Sequence, residues 1–166
     1  AVERELDWGI GVDWRELVDE KSTRDQDVFF LAPHPTYPNV VFAGTQGGLH
    51  RSLDAGDNWP EILSGGSRAE RSVAHIAISP FNPLEVWVGT REGLRISTDG
   101  GETFLIPFQQ FASSEEIRWI AFHPRKPGLV FVGLSWGMLK TTDGGKSFDV
   151  NYYEQWRPLS SIRQLL

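Results

Sequence analysis

Short apolar runs recur along this chain, and turns rich in glycine and proline separate them. One stretch shows the pattern well, with runs at residues 28–32, 40–44, 49–53 and 58–63. Runs of this length that are bounded by turn residues are typical of β-strands. The sequence therefore predicts four short strands joined by tight connections.

This set of runs occurs three times, and the copies align with almost no gaps. Residues 40–59 read VVFAGTQGGLHRSLDAGDNW, residues 85–104 read EVWVGTREGLRISTDGGETF, and residues 129–148 read LVFVGLSWGMLKTTDGGKSF. Asp54, Asp99 and Asp143 hold the same position in the three copies, separated by 45 and then 44 residues. A period of about 40–50 residues is the length of a propeller blade.

The turn residues indicate how the strands are connected. Each first connection contains proline, in HPTYPN, SPFNPLE and HPRKPG, and each second connection contains glycine, in GTQGG, GTREG and GLSWG. Proline cannot donate a hydrogen bond to a strand ladder, and glycine accepts the positive φ angles of hairpin turns. Four strands joined by hairpins form an antiparallel meander, which buries both faces only when copies stack. We therefore expect an all-β propeller architecture.

The same register extends beyond the three copies. The spacing from Trp14 to His34 equals the spacing from Trp59 to Ser79. We divide the chain into residues 1–26 (the end of a preceding blade, with a fourth strand at 13–17), 27–64, 65–109 and 110–153 (three complete blades), and 154–166 (a connection and a following first strand at 162–166). Propellers contain about four to eight blades. We therefore expect that the chain does not close a ring alone, and that the remainder of a longer chain or other protein subunits cover its open edges.

A short motif follows the third run of each copy. It reads SLDAGDNW at 52–59, STDGGETF at 97–104 and TTDGGKSF at 141–148. These segments resemble the Asp box, or bacterial neuraminidase repeat, of β-propellers in sialidases, sortilin-type receptors, xyloglucan-cleaving glycosidases and photosystem II assembly factors. The resemblance covers about residues 27–152. It implies a β-propeller segment of three four-stranded antiparallel blades with Asp-box hairpins, plus a flanking strand at each end.

The motif residues are expected to have structural roles. The Asp side chain accepts hydrogen bonds from backbone N–H groups of its own hairpin, glycine takes the strained turn positions, and the aromatic ring packs between sheets. An EF-type calcium loop needs alternating oxygen ligands and a terminal Glu, so we expect no metal here. The structural Asp-box residues are Ser52, Asp54, Gly56, Trp59, Ser97, Asp99, Gly101, Phe104, Thr141, Asp143, Gly145 and Phe148.

Composition narrows the classes of partner. The chain has 16 Lys and Arg against 22 Asp and Glu, a net charge of -6, which argues against nucleic acid as the main partner. It contains no cysteine, which excludes disulfides and cysteine nucleophiles. No apolar run approaches the roughly 20 residues that cross a bilayer, so we expect no direct membrane insertion. No cofactor is expected.

Enzymatic alternatives remain open at this point. Sialidases that share the box use three arginines, a tyrosine with its glutamate, and an aspartate. Tyr152 and Tyr153 are available here, but the spacing singles out no three arginines. A xyloglucan-cleaving glycosidase needs two opposed carboxylates at one cleft. Conceivable carboxylates are Asp13, Glu92, Glu115 and Glu116.

One face of the predicted propeller is the candidate binding face, because the turns between second and third strands share it with the blade-to-blade connections. Trp136 lies in such a turn, where the other copies have Gly47 and Glu92. We expect Trp136 to be exposed there, while the Asp-box aromatics are buried between sheets. The candidate residues are Gln46, Arg68, Arg71, Arg91, Glu92, Glu115, Glu116 and Trp136.

The sequence thus favours a non-catalytic propeller module for protein interaction, scaffolding or assembly within a longer exported protein. The extracytoplasmic location is implied by the resemblance alone. The alternative is a glycan-binding or glycoside hydrolase propeller, of the xyloglucanase type before the sialidase type.

Overall fold

Three antiparallel sheets follow one another along the chain, one for each copy of the repeat. The computed structural model describes residues 27–63, 66–107 and 116–152. The first sheet contains β1 (Val28–Pro33), β2 (Val41–Thr45), β3 (Leu49–Ser52) and β4 (Glu61–Leu63). A short helix, α1 (Arg68–Arg71), precedes the second sheet of β5 (Val73–Ile78), β6 (Val86–Thr90) and β7 (Gly93–Ser97). The third sheet contains β8 (Ile117–Phe122), β9 (Val130–Leu134), β10 (Gly137–Thr141) and β11 (Asp149–Tyr152).

Every sheet is a meander in which neighbours in sequence are neighbours in space. The all-β prediction is therefore confirmed for the described residues. The fourth strand is the weakest element, since in the second sheet it is reduced to one bridge between Ile96 and Leu105. In the first sheet it begins at Glu61 and not at residue 58 as predicted. Pro60 explains the late start, because a proline cannot donate to the ladder.

The predicted flanking strands at 13–17 and 162–166, with Trp14, lie outside the described residues. The first strands β1, β5 and β8 lie side by side across the three sheets. Each first strand carries a β-bulge near its start, between Val28 and Phe30 in β1 and at the equivalent places in β5 and β8. A bulge of this kind re-aims the side chains that follow it.

The Asp-box hairpins have the predicted hydrogen bonds. Asp99 Oδ1 accepts from the Thr103 backbone N–H at 2.9 Å and from Ser97 Oγ at 2.7 Å. The equivalent backbone N–H groups, of Asn58 and Ser147, donate to Asp54 and Asp143 at 3.0 Å in both hairpins. The prediction that these carboxylates accept bonds from their own hairpins is confirmed.

Two hydrophobic clusters lie between consecutive sheets. Phe42 of the first sheet is 1% exposed and Trp87 of the second is 0% exposed. Phe104 packs against the first cluster and Phe148 against the second, both partly buried. Trp59 is also partly buried, and its indole N–H donates to the Gly56 carbonyl at 2.8 Å. Phe104 and Phe148 therefore cover the clusters from the rim, whereas the sequence predicts that all three Asp-box aromatics are buried between sheets.

Glycines at one repeat position allow the sheets to interlock. A Cβ atom placed on Gly44 of β2 would lie 2.5 Å from Cγ1 of Val73 in the next sheet. A Cβ atom on Gly89 of β6 would lie 2.6 Å from Cγ2 of Ile117. Both distances are shorter than two carbon atoms tolerate. A hydrogen is therefore the only side chain that fits while the next first strand stays in place.

We predict that Gly89→Ala lowers the free energy of unfolding by about 1–3 kcal/mol, the usual cost of overpacking a core. The double variant with Ile117→Ala removes the Cγ2 methyl group, which is the nearest of the Ile117 atoms that the new Cβ would strike. The decrease in the free energy of unfolding of the double variant should therefore be clearly smaller than the sum of the decreases of the two single variants. Denaturant titration of the four proteins measures this coupling, and strictly additive losses would contradict the proposed clash.

We also predict that Asp99 makes the stability of the fold depend on pH in the acidic range. Bonds from the Thr103 side chain and backbone, with that from Ser97, lower the pKa of Asp99 below its usual 3.8. Because the folded-state pKa is the lower one, this contribution is complete above the unfolded pKa and is lost as pH falls below about 4. Asp99→Asn should lower the midpoint of thermal unfolding at neutral pH. It should also make the decrease of this midpoint below pH 4 less steep. Asp57→Asn, at an exposed position in the neighbouring hairpin, is the control and should change neither.

Candidate functional site

The turns and connections that were expected to share one face do meet there. The backbone N–H of Gln46 donates to the carbonyl of Asp27, directly before β1, at 3.3 Å. The backbone N–H of Arg91 donates to the carbonyl of Ser72, directly before β5, at 3.2 Å. Each turn is thereby tied to the connection that enters its own sheet. We call this edge of the sheets the connection face.

Buried threonines hold two of these turns rigid. Thr45 Oγ1 donates to the Gly48 carbonyl at 3.0 Å and accepts from the backbone N–H groups of Gly47 and Gly48. Thr90 Oγ1 donates to the Gly93 carbonyl at 2.9 Å. The third copy has Leu134 at this position and lacks that hydroxyl. The side chains of Gln46 and Arg91 are therefore presented by turns with a fixed backbone.

Helix α1 completes the connection face next to the second turn. It starts with a capping box, in which Ser67 Oγ accepts from the Glu70 backbone N–H at 3.1 Å and Glu70 Oε2 accepts from the Ser67 backbone N–H at 2.5 Å. Ser67 Oγ also donates to Glu92 Oε2 at 3.0 Å, which joins the helix to the β6–β7 turn. Sequence reasoning missed this helix. The Ser-x-x-Glu spacing at 67–70 is the signal that identifies it.

Arg95 lies beneath this helix and was also missed. It is 7% exposed, and its Nη2 lies 3.8 Å from Glu70 Oε1. Burial lowers the pKa of Arg95, and the charges of Glu70 and Glu92 act in the opposite direction. The two acids thus compensate a buried cation, which costs less than leaving it unpaired.

Several arginines lie on the described part of the connection face. Arg68, Arg91 and Arg118 are exposed, and Arg71 is half-buried. Glu116 forms an ion pair with Arg118 at 3.3 Å. Of the other predicted residues, Gln46 and Glu92 are half-buried and Glu115 lies outside the described residues.

The prediction for Trp136 is wrong. It was expected to be substantially exposed, but it is half-buried and packs against the cluster between the second and third sheets. That cluster includes Ile117 and Leu134. An indole gains more free energy by covering such apolar side chains than by remaining in water. Trp136 therefore closes the core at this corner.

The side chains after the three bulges form an aromatic row. Phe30, His75 and Trp119 hold the same repeat position, with ring centroids 4.3 Å apart for the first pair and 5.4 Å for the second. His75 is 9% exposed, whereas Trp119 is 54% exposed in the described part of the chain. Burial lowers the pKa of His75 to about 4. The row is held together by ring packing around a neutral imidazole.

His34 and His123 hold equivalent repeat positions, and both hydrogen-bond to the backbone. His34 Nδ1 accepts from the backbone N–H groups of Thr36 and Tyr37 at 3.1 and 3.0 Å, which leaves Nε2 to donate to the Pro83 carbonyl at 2.8 Å. His123 Nδ1 likewise accepts from the Arg125 backbone N–H at 3.1 Å. Within residues 27–63, 66–107 and 116–152, no group of three His, Asp or Glu side chains is placed to hold a metal ion.

Comparison with known proteins identifies the architecture. No protein-family model matches the sequence, and no curated protein matches it either. An ancestral GH74 enzyme shares 22% identity at a TM-score of 0.65, over 75% of this chain and 18% of its own. The Niastella koreensis GH74 enzyme shares 24% identity at 0.62, over 75% and 22%. YCF48 from Cyanidioschyzon merolae shares 16% identity at 0.59, over 80% and 42%.

These three structures are β-propellers. The described chain is a β-propeller segment. Its sheets are blades, and it spans less than half the length of each of these three structures. Identities below a quarter establish the fold alone, because one fold serves many functions. No helix among the described residues has the length and apolar character needed to cross a membrane.

We predict that His75 makes the blades sensitive to mild acid. Its pKa falls from 6.5 to about 4 on folding, so between these values the unfolded chain binds a proton that the folded chain does not. Stability should therefore decrease as pH falls from 6.5 to 4, by on the order of 2–3 kcal/mol. His75→Phe keeps the ring packing and removes the titration. Denaturant unfolding at several pH values should show a flatter profile for the variant, and parallel profiles would contradict the assignment.

Proposed function

We propose that this chain is a non-catalytic part of an Asp-box β-propeller that binds a protein partner and serves interaction, scaffolding or assembly. The observation that carries the proposal is the connection face, where Arg68, Arg91 and Arg118 are exposed on an otherwise acidic protein. Arginine is enriched at protein interfaces because its planar guanidinium donates several hydrogen bonds in a fixed geometry. The partner chemistry that fits is a segment with carboxylates and free backbone carbonyls.

The rigidity of this face supports binding. The Arg91 turn is closed by Thr90 and bonded to Ser72, and Arg68 begins a helix that is capped by Ser67. Groups held in place before association lose less conformational entropy when the partner arrives. Most of the conformational entropy lost on binding would then be lost by the partner, if it is a weakly structured segment.

The glycoside hydrolase alternative receives less support from the face. Hydrolysis of a glycosidic bond uses a pair of carboxyl groups that flank the bond. Of the candidates, Glu92 accepts a hydrogen bond from Ser67 and Glu116 is paired with Arg118. Asp13 and Glu115 lie outside the described residues. Similarity to GH74 enzymes keeps a glycan ligand as the second candidate, which the experiment below includes.

The proposal also locates the module outside the cytoplasm, as part of a longer exported protein. The resemblance of its Asp boxes to those of mostly extracytoplasmic propellers supports this location. Fractionation of cells that express the full-length protein tests it. Recovery of the protein in the cytoplasmic fraction alone would contradict the location and leave the binding proposal intact.

We predict that charge reversal on the connection face weakens binding. Arg68→Glu combined with Arg91→Glu should raise the Kd for the partner at least about tenfold, since buried interface arginines contribute about 1.4 kcal/mol or more. The partner is first identified by cross-linking mass spectrometry on the full-length protein, and its affinity is then measured by biolayer interferometry. Higher salt should weaken the wild-type complex more than the variant complex.

Arg125→Glu is the matched control, because Arg125 is exposed in the proline-bearing turn at the other end of its sheet. It should leave the Kd within about twofold, as expected for a charge outside the interface. Equal losses for both variants would indicate a non-specific charge effect and reject the connection face. Binding of xyloglucan oligosaccharides in the same assay, without a protein partner, would favour the second candidate.

A further inference from the structure

Four exposed apolar side chains lie at the Asp-box end of the sheets, opposite the connection face. Tyr37, Phe81 and Leu84 belong to the proline-bearing turns, and Leu53 belongs to the first Asp box. Their exposed fractions are 46% for Tyr37, 44% for Phe81, 46% for Leu84 and 59% for Leu53. Isolated exposed apolar side chains are ordinary on protein surfaces, whereas contiguous ones mark binding sites. The role of these four therefore depends on whether they adjoin one another.

Contacts between the first and second sheets bring the two turns together. The ring of Tyr37 lies 4.6 Å from the ring of His34. His34 Nε2 lies 2.8 Å from the carbonyl of Pro83, which stands between Phe81 and Leu84 in the turn of the second sheet. Tyr37 is therefore held beside the turn that presents the other two side chains.

The first Asp box lies at the same junction. Arg51, two residues before Leu53, donates from Nη1 to the Gly100 carbonyl at 2.6 Å. The Gly100 N–H donates to the Leu84 carbonyl at 2.8 Å. The chain that carries Leu53 is thus tied to the turn that carries Leu84. We call these four side chains the junction patch: Tyr37, Leu53, Phe81 and Leu84.

Packing of the sheets does not require apolar side chains at these four positions. The contact between the second and third sheets repeats the approach of the first two, with Ile117 against Gly89 where Val73 lies against Gly44. Its side chains at the four equivalent positions are polar or absent: Asn82, Thr98, Arg125 and Gly128. The junction patch is therefore additional to the packing that the repeat needs, and an exposed apolar surface of this kind indicates binding.

The charge around the junction patch is negative. Five acidic residues and no Lys or Arg occur in the proline-bearing turns and Asp boxes of the first two sheets, at 33–40, 52–59, 79–85 and 97–104. Asp57 and Glu102, which hold one repeat position, are exposed. Arg51 lies 2.6 Å from Glu102, but its side chain is only 12% exposed and adds little positive charge to the surface.

The same segments of the third sheet are basic. Lys146 replaces Asp57 and Glu102, and Arg125 and Lys126 stand in the proline-bearing turn. A cationic ligand is therefore attracted to the first junction and repelled by the third sheet, which limits where it lies along this end of the sheets.

We propose that the junction patch binds a cationic amphipathic segment of a protein partner. Aliphatic or aromatic side chains of the segment cover the patch, because burial of apolar surface supplies most of the affinity. Its Lys or Arg side chains lie near Asp57 and Glu102, because complementary charge selects the partner. An anionic membrane surface has the wrong charge for this site. The inference goes beyond the connection face, whose arginines favour a carboxylate-bearing segment at the opposite end of the sheets.

Three synthetic peptides test this chemistry on the full-length protein. The probe has leucine on one face of a helix and lysine on the other. One comparison peptide carries glutamate for each lysine, and the second carries serine for each leucine. Fluorescence anisotropy at low salt should show that the leucine–lysine peptide binds at least about tenfold more tightly than both others, and added salt should weaken its binding.

The patch variant takes its residues from equivalent positions of other copies, so that each substitution is one that the repeat already accommodates. It carries Leu53→Thr, Phe81→Thr and Leu84→Asn, as in Thr98, Thr36 and Asn39. It should bind the leucine–lysine peptide at least about tenfold more weakly, because truncation of apolar anchors removes the main source of affinity. Arg125→Thr with Lys126→Asn is the matched control in the third sheet and should leave the Kd within about twofold.

Thermal unfolding separates binding from folding. The patch variant should retain the wild-type midpoint, and a clearly lower midpoint would show that another part of the chain covers the patch and would overturn the proposal. Equal binding of the patch variant, equal binding of the glutamate peptide, or no binding of the leucine–lysine peptide would also overturn it. So would a wild-type dimer that the patch variant dissociates in sedimentation, since the occupant would then be a second copy.

The connection-face variant distinguishes the two sites. Arg68→Glu with Arg91→Glu should leave the affinity for the leucine–lysine peptide within about twofold, as expected for side chains outside the contact. A tenfold loss in this variant would assign the peptide to the connection face and reject the junction patch. The outcome does not affect the partner proposed for the connection face.

Discussion

The close approach of consecutive blades is the constraint on which the rest of the structure depends. At Gly44 and Gly89 the first strand of the next blade comes so near that only a hydrogen fits as the side chain. This approach buries Phe42 and Trp87 between sheets, and burial of such large rings is the main favourable contribution to folding. It also places the three bulges in line, so that the rings of Phe30, His75 and Trp119 come into contact.

The two ends of each sheet differ in how their polar groups are used. At one end the Asp-box hairpin is bonded to the proline-bearing turn of its own blade, as Gly100 N–H to the Leu84 carbonyl at 2.8 Å and Gly144 N–H to the Gly128 carbonyl at 3.0 Å. Carboxylate, hydroxyl and amide groups there are used within the hairpin. At the other end the turns are also rigid, but Arg68 and Arg91 remain exposed. The repeat positions that hold the blade together thus lie away from the face that varies between copies, where recognition has room to differ.

The two candidate activities differ in what they require of this varied face. Hydrolysis requires a pair of carboxyl groups on either side of a bound glycan, whereas protein binding requires exposed donors on a fixed backbone. Glu92 and Glu116 contribute to the internal order of the face through Ser67 and Arg118. The exposed donors that a protein partner would contact belong to the arginines. Similarity of fold to GH74 enzymes does not decide between the activities, because the fold is shared and the site residues are not fixed by it.

The sequence by itself determined the all-β class, the repeat period, the four-strand pattern of the first and third blades and the hydrogen bonding of Asp54, Asp99 and Asp143. These features depend on short-range interactions along the chain, and such interactions leave a regular local pattern. Only the tertiary structure decided how far Trp136 is buried and which acids lie near the buried charge of Arg95. It also decided that the rings of Phe30, His75 and Trp119 are in contact. These outcomes depend on side chains that are distant in sequence, whose proximity is set by sheet packing. A one-dimensional pattern gives their register but neither the distance between sheets nor the free energy gained when a tryptophan folds onto an apolar cluster.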